Sequence, residues 1–395
     1  LPLFVIQKPW FMTYNHPSAG NISLKDGWEV ILHGLKLDCT VAGYLTVIPL
    51  LMTLISIWVT GKWYKKGIYA YTVMALLAIT AIFSVDVALY AFWGFRIDST
   101  LLFYLQSPKD ALASIPARLF LQQTTSFLIY STLGYLYLKK IIINHVPVEP
   151  VSNKVGATFA IIIAGAILFI PIRGGVTTST ANVGMVYFSQ NQFLNHAAIN
   201  PCFSLLSSLS KQEDFSKQFN FLDEKERQDN IESLLSPVTS SDTTRILLKT
   251  RTPDILIIIL ESFSANVVEI TGGLPDITPH LNQLGKEGVL FSHVYANSFR
   301  TDRGLVAILN GYPAQPTTSI MKYPAKSQTL PSIASSLRKA GYRSDMLYGG
   351  DINFTNMQSY FFSSGYSQIT SDIDFPISDR LSKWGANDDV TFRFL

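Results

Sequence analysis

The sequence predicts a multi-pass α-helical membrane domain of about five spans, followed by an α/β domain that is incomplete at its C-terminus. Three observations lead to this fold class. The chain is very apolar, with 48% hydrophobic and 15% charged residues, whereas soluble domains carry about 25% charged residues. All the long apolar stretches precede Arg173. Beyond Pro253, short apolar runs alternate with helical patterns, which is typical of a mixed α/β domain.

Four apolar stretches each approach the ~20 residues that a spanning helix needs. They lie at Leu37–Val59, Ile68–Phe95, Leu119–Leu138 and Val155–Ile172. The opening residues Leu1–Ile6 resemble the tail of a further span, and Asp388–Leu395 resembles a helix without a stop signal. We therefore interpret the chain as a fragment and assign residues 1–172 to the membrane domain. Buried helices of a large soluble protein are the disfavoured alternative.

Basic residues in the loops predict the orientation, because cytoplasmic loops are enriched in Lys and Arg. The basic loops follow the second and fourth spans and contain Lys62, Lys65, Lys66, Lys139, Lys140 and Lys154. Five spans then place everything after Arg173 outside the cytoplasm. The amphipathic stretch Leu24–Leu35 is predicted either to lie in the outer interface or to pack on the bundle.

Two ionisable residues need an explanation. Asp86 falls within the third span, where a carboxylate is costly and must find a protein or water partner. A structural hydrogen bond, a headgroup contact and a proton relay all remain open for it. His196 is either a ligand or a structural hydrogen-bonding residue. The net charge of +3 gives no reason to expect nucleic-acid binding.

Residues 173–252 form a predicted extracytoplasmic connector. Asn191–Leu209 has apolar spacing suited to a helix on the membrane surface, and the charged and Ser/Thr-rich stretches after it resemble a solvated linker. Residues 253–395 form the predicted α/β domain. Its strands are expected at Ile255–Leu260, Val289–Tyr295 and Arg343–Leu347. The helices that accompany these strands are expected at Thr278–Gly288, Asp302–Asn310, Leu330–Ala340 and Asn356–Gly365.

In parallel sheets, sites form at the carboxyl ends of the strands. Glu261 directly follows the first predicted strand and is a candidate metal ligand, although an acidic helix cap is the plain alternative. Thr301 opens a predicted helix, where it is either an N-cap or a metal-activated nucleophile near bound phosphate. Arg300 and Arg303 flank it and are predicted to hold an anionic substrate. Asp351 follows a later predicted strand.

Several motifs together resemble lipoteichoic acid synthase-type proteins, membrane-anchored members of the alkaline phosphatase/sulfatase superfamily. The motifs are Asp254–Ser264 with its Glu-Ser-Phe triplet, Thr278–Leu281, Phe299–Gly304, Tyr348–Asp351 and Trp384-Gly385. The resemblance implies an alkaline phosphatase-like domain with Glu261 as metal ligand and Thr301 as both ligand and nucleophile. It also implies one divalent metal ion, Mn or Mg first and Zn second, at the bacterial cytoplasmic (inner) membrane.

The family transfers a phospho-alcohol group, such as glycerol phosphate or ethanolamine phosphate, from a phospholipid donor to a glycan or polymer acceptor. Two departures from its pattern matter. The chain has no Asp-His dipeptide, so we expect this fragment to be inactive. Thr355 and Met357 stand where these synthases carry a substrate-gripping Trp and Arg, which leaves Asp351, Asn353 and Asn356 to line the pocket. A hydrolase of the same fold and a non-catalytic headgroup-binding protein are the alternatives.

Overall fold

The computed structural model describes residues 1–18, 22–59, 61–101, 116–146, 151–209, 221–235, 248, 250–380 and 385–395. The chain divides into two compact units, one formed by Leu1–Gln212 with Asn297–Leu395 and the other by Glu213–Ala296. The helices of the N-terminal half are α1 (Pro2–Tyr14), α2 (Leu24–Trp58), α3 (Lys62–Trp93), α4 (Ala117–Ile141), α5 (Lys154–Arg173), α6 (Gln192–Ala198) and α7 (Pro201–Leu209).

The later helices are α8 (Glu224–Leu235), α9 (Pro279–Glu287), α10 (Thr301–Asn310), α11 (Pro324–Ser327), α12 (Ile333–Lys339), α13 (Met357–Ser364) and α14 (Asp388–Phe394). Strands β1 (Asp345–Leu347) and β2 (Gln368–Thr370) pair in parallel, with Met346 opposite Ile369. The sequence patterns therefore predicted α9, α10, α12, α13 and β1 to within a few residues.

Four helices, α2 to α5, are long and apolar enough to cross a membrane. They contain the four long stretches that the sequence predicts as spans. The predicted tail of an opening span, Leu1–Ile6, belongs to α1. Phe4 and Phe11 of α1 are buried in the helical core. The described residues therefore contain four candidate spans, and the fifth predicted span stays a prediction.

The stretch Leu24–Leu35 is not a separate helix but the beginning of α2, which runs without a break to Trp58. Ser23 starts this helix with a capping box, since its hydroxyl accepts from the Asp26 amide and the Asp26 carboxylate accepts from the Ser23 amide. One side of these first turns is buried at Val30, whereas Trp28 on the other side is exposed. The amphipathic pattern thus marks an extension of a helix that is a candidate span.

The predicted membrane-surface helix Asn191–Leu209 is wrong in two respects. Pro201 cannot donate a backbone hydrogen bond, and the stretch is divided there into α6 and α7. The Asn200 side-chain oxygen caps α7 by accepting from the Cys202 amide at 3.0 Å. All of Phe193 to Ala198 is buried, and α6 packs on α2 and α1. This segment is consequently part of the core.

Two of the three predicted strands are absent from the structure. Ile255–Leu260 and Val289–Tyr295 have no strand conformation, and their side chains are exposed. A strand is stabilised by hydrogen bonds to a neighbouring strand. Within the residues that the structure describes, neither run pairs with one. Among the described residues, the predicted largely parallel central sheet is therefore represented by β1 and β2, and Glu261 does not follow a strand.

Candidate functional site

Glu261 lies in the 213–296 unit, in an exposed turn after the apolar run. The next residue, Ser262, has a φ of 56°, a left-handed conformation that is uncommon for a residue other than glycine. Within this unit the segment that follows is ordered around α9. The Asn282 side chain donates to Glu269 Oε2 at 2.7 Å, and the Thr278 hydroxyl donates to the Val267 carbonyl at 3.1 Å. The Thr-Pro-His-Leu motif thus has a clear structural role here.

Thr301 is the first residue of α10, and Arg300 is its N-cap. The structural alternative, in which Thr301 caps a helix that starts at Asp302, is therefore wrong by one residue. The first amides of a helix have no carbonyl partner within the helix, and the helix dipole places positive charge there. The Thr301 hydroxyl therefore lies at a helix end that favours the binding of a phosphate. Asp302, at 4% exposure, occupies the same first turn and adds a negative charge.

The two arginines beside Thr301 each have a protein partner. Arg303 donates to the Pro316 carbonyl at 2.5 Å, and its guanidinium lies 5.8 Å from the centre of the Phe299 ring. Arg300 Nε lies 3.8 Å from Asp302 Oδ1. Both side chains lie beside Thr301 at the start of α10, and their role in holding an anionic substrate stays a prediction.

Asp351 is held by a loop of the connector, which sequence reasoning missed. Its Oδ2 atom accepts hydrogen bonds from the Thr178 hydroxyl at 2.8 Å, the Ser179 hydroxyl at 2.6 Å and the Ser179 amide at 3.1 Å. Its Oδ1 atom accepts from the Asn353 amide at 2.9 Å. Burial raises the pKa of the nearby Asp372 carboxyl, and the charge of Asp351 raises it further.

The two asparagines after Asp351 also contact the connector. The Asn182 side chain donates to the Asn353 carbonyl at 2.8 Å, and Asn356 Oδ1 accepts from the Gly184 amide at 3.2 Å. Thr355 and Asn356 are both in the left-handed region, with φ values of 50° and 62°. A β-branched residue such as Thr355 rarely adopts this conformation, so the loop is held in place by its surroundings.

The structure therefore brings some of the predicted site residues together. Arg300, Thr301 and Arg303 share the first turn of α10, whereas Asp351, Asn353 and Asn356 share the loop before α13. Both groups rest on one core, in which Leu305 and Val306 of α10 pack with Ile352 and Met357. Glu261 belongs to the other compact unit, so its pairing with Thr301 stays a prediction. Trp384 lies outside the described residues.

The donor atoms proposed for the metal fit a hard divalent cation, because Glu261 offers a carboxylate and Thr301 a hydroxyl oxygen. In the described part of the chain, no three His, Cys, Asp or Glu side chains gather in one place. The predicted metal ligands Glu261 and Thr301 belong to different compact units, so their binding of one metal ion stays a prediction.

Asp86 and His196 belong to a separate buried network in the helical half. Asp86 Oδ2 lies 2.9 Å from Arg96 Nη2, and its Oδ1 accepts from the Ile97 amide at 2.8 Å. His196 Nδ1 lies 2.9 Å from the Tyr90 hydroxyl. Burial, followed by the charge of Arg96, lowers the pKa of His196 to about 3. These contacts support a structural role for both residues.

Comparisons with known proteins indicate the class of the C-terminal domain. Residues 253–391 match the family model described as Sulfatase. A solved protein in the alkaline phosphatase superfamily from Vibrio parahaemolyticus is 38% identical, over 33% of this chain and 31% of that chain, with a TM-score of 0.30. The chain thus spans less than a third of that protein. The family match supports an alkaline phosphatase/sulfatase-type domain, preceded by helices apolar enough for a membrane.

Proposed function

We propose that this protein is a membrane-anchored transferase that moves a phospho-alcohol group from a phospholipid to a cell-envelope glycan or polymer. Glycerol phosphate and ethanolamine phosphate are the proposed groups. One observation carries the proposal: the Thr301 residue starts α10 between two arginines, in a chain with four candidate spans. A lipid donor explains why one chain combines a phosphate-favouring helix end with apolar helices.

The reaction proceeds in two displacements. The Thr301 hydroxyl oxygen attacks the donor phosphorus, the bond to the diacylglycerol oxygen breaks, and that oxygen takes up a proton. An acceptor hydroxyl then attacks the phospho-threonine and restores the Thr301 hydroxyl. Arg300 and Arg303 stabilise the charge on the phosphoryl oxygens. A bound Mn or Mg ion, with Zn as the alternative, would lower the pKa of the attacking hydroxyl.

The proposed location is the bacterial cytoplasmic membrane, with the sulfatase-type domain on its outer side. This orientation does not need α1 to cross the bilayer. Lys62 starts α3 and Lys139 lies in the last turn of α4, so these lysines flank the connections from α2 to α3 and from α4 to α5. We assign both connections to the cytoplasmic side. Everything that follows α5 is then extracytoplasmic.

A single substitution tests the nucleophile. In membranes that contain the intact natural protein, Thr301→Ala should abolish diacylglycerol release from the donor lipid with Mn or Mg present, because no hydroxyl remains to attack phosphorus. Thr301→Ser is the matched control and should keep measurable turnover. Mass spectrometry of a trapped Thr301 adduct should give the mass of the transferred group. Undiminished release by the Ala variant would disprove the assignment.

A second substitution tests the metal ligand. Glu261→Gln removes the carboxylate charge but keeps the side-chain size, so metal occupancy measured by elemental analysis should fall several-fold. Glu269→Gln is a suitable control, because Glu269 lies in the same unit and is bonded to Asn282. Equal occupancy in the Glu261 variant and the natural protein would refute the ligand role.

The Sulfatase match favours a second candidate, a phosphodiesterase or sulfatase of the same fold in which water replaces the acceptor. Sulfatases use a Cys or Ser followed by Pro and Arg, whereas this chain has Thr301-Asp302-Arg303. Product analysis separates the candidates. A transferase yields a modified acceptor, and a phosphodiesterase yields the free phospho-alcohol. A sulfatase releases sulfate from a sulfate ester, and a non-catalytic headgroup-binding protein yields none of these products.

A further inference from the structure

The connector loop 177–184 and the loop 351–356 are joined by side-chain hydrogen bonds along their length. Asp351 accepts three bonds from Thr178 and Ser179, as described above. Further along, Asn182 bonds to the Asn353 carbonyl and the Gly184 amide bonds to Asn356. We call this set of contacts the clasp. Its members are separated by more than 170 positions in sequence, so it joins two distant parts of the chain.

The connector side of the clasp is attached to the end of α5. The Arg173 guanidinium donates to the carbonyl of Thr178 at 3.1 Å, and its own carbonyl accepts from the Ala181 amide at 2.7 Å. Gly174 has a φ of 93°, and a Cβ there would lie 2.9 Å from Ala181. The chain therefore needs glycine at this position to turn back on the helix end.

This attachment limits how far the clasp can lie from the end of α5. Thr178 follows Arg173 by five peptide units, which reach about 17 Å when fully extended. The loop is folded back on α5, so the actual separation is shorter. The headgroup region on each side of a bilayer is about 5–8 Å thick. If α5 spans, Asp351 is therefore held close to the layer in which phospholipid headgroups lie.

The same loop is coupled to the helix that starts at Thr301. Ile352 and Met357, on either side of the clasp residues Asn353 and Asn356, pack with Leu305 and Val306 of α10. Contacts that hold the loop 351–356 in place relative to α5 therefore also hold α10 in place, because the loop and α10 share this core.

We propose that the clasp is a positioning device that sets the height of the nucleophile helix above the bilayer and selects membrane-embedded donors over soluble ones. This inference rests on the proposed transferase function. Thr178 and Ser179 are the positioning residues, and they act through Asp351. Losing the clasp should impair capture of a headgroup in the bilayer, whereas a freely diffusing donor should still reach Thr301.

The test compares the double variant Thr178→Val/Ser179→Ala with the natural protein in lipid nanodiscs. The control is Thr180→Val, since the Thr180 hydroxyl is exposed and makes none of the clasp contacts. Hydrogen exchange is measured first, and it needs no activity. Peptides covering 351–358 should exchange faster in the double variant only. Unchanged hydrogen exchange of these peptides in the double variant would show that the clasp does not hold the loop.

Donor preference is measured next, as kcat/KM for a long-chain phospholipid in the nanodisc and for a short-chain soluble phospholipid. The ratio of the two should fall about tenfold or more in the double variant, because the two hydroxyl hydrogen bonds to the charged Asp351 carboxylate are lost. Thr178→Ser should keep the natural ratio. An equal fall with both donors would overturn the positioning role. Inactivity of the natural protein toward both donors would refute the transferase, while hydrogen exchange would still decide the clasp.

Discussion

Two regions of this molecule show opposite relations between polarity and burial. In the helical half, Asp86 and Arg96 are 0% and 2% exposed. In the 213–296 unit, Leu256 and Ile258 are 68% and 52% exposed. The charged pair is buried because each charge has a partner, whereas the apolar run is exposed because no described strand pairs with it. In these two regions, whether a side chain is buried depends more on whether it has a partner than on whether it is polar or apolar.

The largest expected effect comes from removing one charge of the buried pair. Asp86→Ala should lower the free energy of unfolding by about 3–5 kcal/mol, because it leaves the Arg96 charge buried without its carboxylate. Thermal and denaturant unfolding in detergent micelles measure this loss. The double variant Asp86→Ala/Arg96→Met should recover part of it, since no unpaired charge remains. A loss below about 1 kcal/mol for Asp86→Ala would show that the pair is not buried as described.

A second test lowers the pH and follows the protonation of His196 in the same buried network. Because the pKa of His196 is lowered to about 3, the folded protein keeps it neutral while the unfolded chain binds a proton below about pH 6.5. The contribution of His196 to the free energy of unfolding is therefore most favourable above about pH 6.5. This contribution declines by about 1.4 kcal/mol for each pH unit as the pH falls toward 3. The Tyr90 hydroxyl contacts Nδ1 of this ring, and Arg96 Nη1 donates to the His196 backbone carbonyl.

The measurement for His196 is the unfolding free energy between pH 7 and pH 5, with His196→Gln as the reference. The glutamine variant has no imidazole to titrate, so the difference between the two curves isolates the histidine. We expect the natural protein to lose more stability than the variant over this interval. Parallel curves would contradict a buried neutral His196.

The smallest expected effect comes from the exposed run. Ile258→Thr keeps the β-branched shape but removes apolar character, and it should change the free energy of unfolding by less than about 0.5 kcal/mol, as surface substitutions usually do. The same unfolding experiments measure it. A cost as large as that of Asp86→Ala would mean that Ile258 is buried, and the comparison between the two regions would fail.

The sequence predicted the helices well because their signals are local. The long apolar stretches of α2 to α5 and the helix-start signal at α10 each lie within a single stretch of chain. The two absent strands show the limit of such signals, because strand formation depends on a neighbour that the run itself does not contain. The apolar composition of Ile255–Leu260 could not indicate whether such a neighbour is present.

The candidate site was predictable to a similar extent. The position of Thr301 at a helix start follows from adjacent residues, with an error of one residue in the cap. The partner of Asp86 was also within reach of sequence reasoning, because Arg96 comes just after the end of α3. The partners of Asp351 were not, since Thr178 and Ser179 have no pattern that indicates a carboxylate so far along the chain.

The clasp has a consequence for building chimeric proteins from this chain. A junction at residue 253, where the predicted domain begins, would keep Thr178 and Ser179 with the original helices and supply a foreign loop in place of 351–356. Such a hybrid would retain every residue of both modules but lose the contacts between them. The functional module is therefore discontinuous: residues 174–184 should be exchanged together with the domain that contains Asp351.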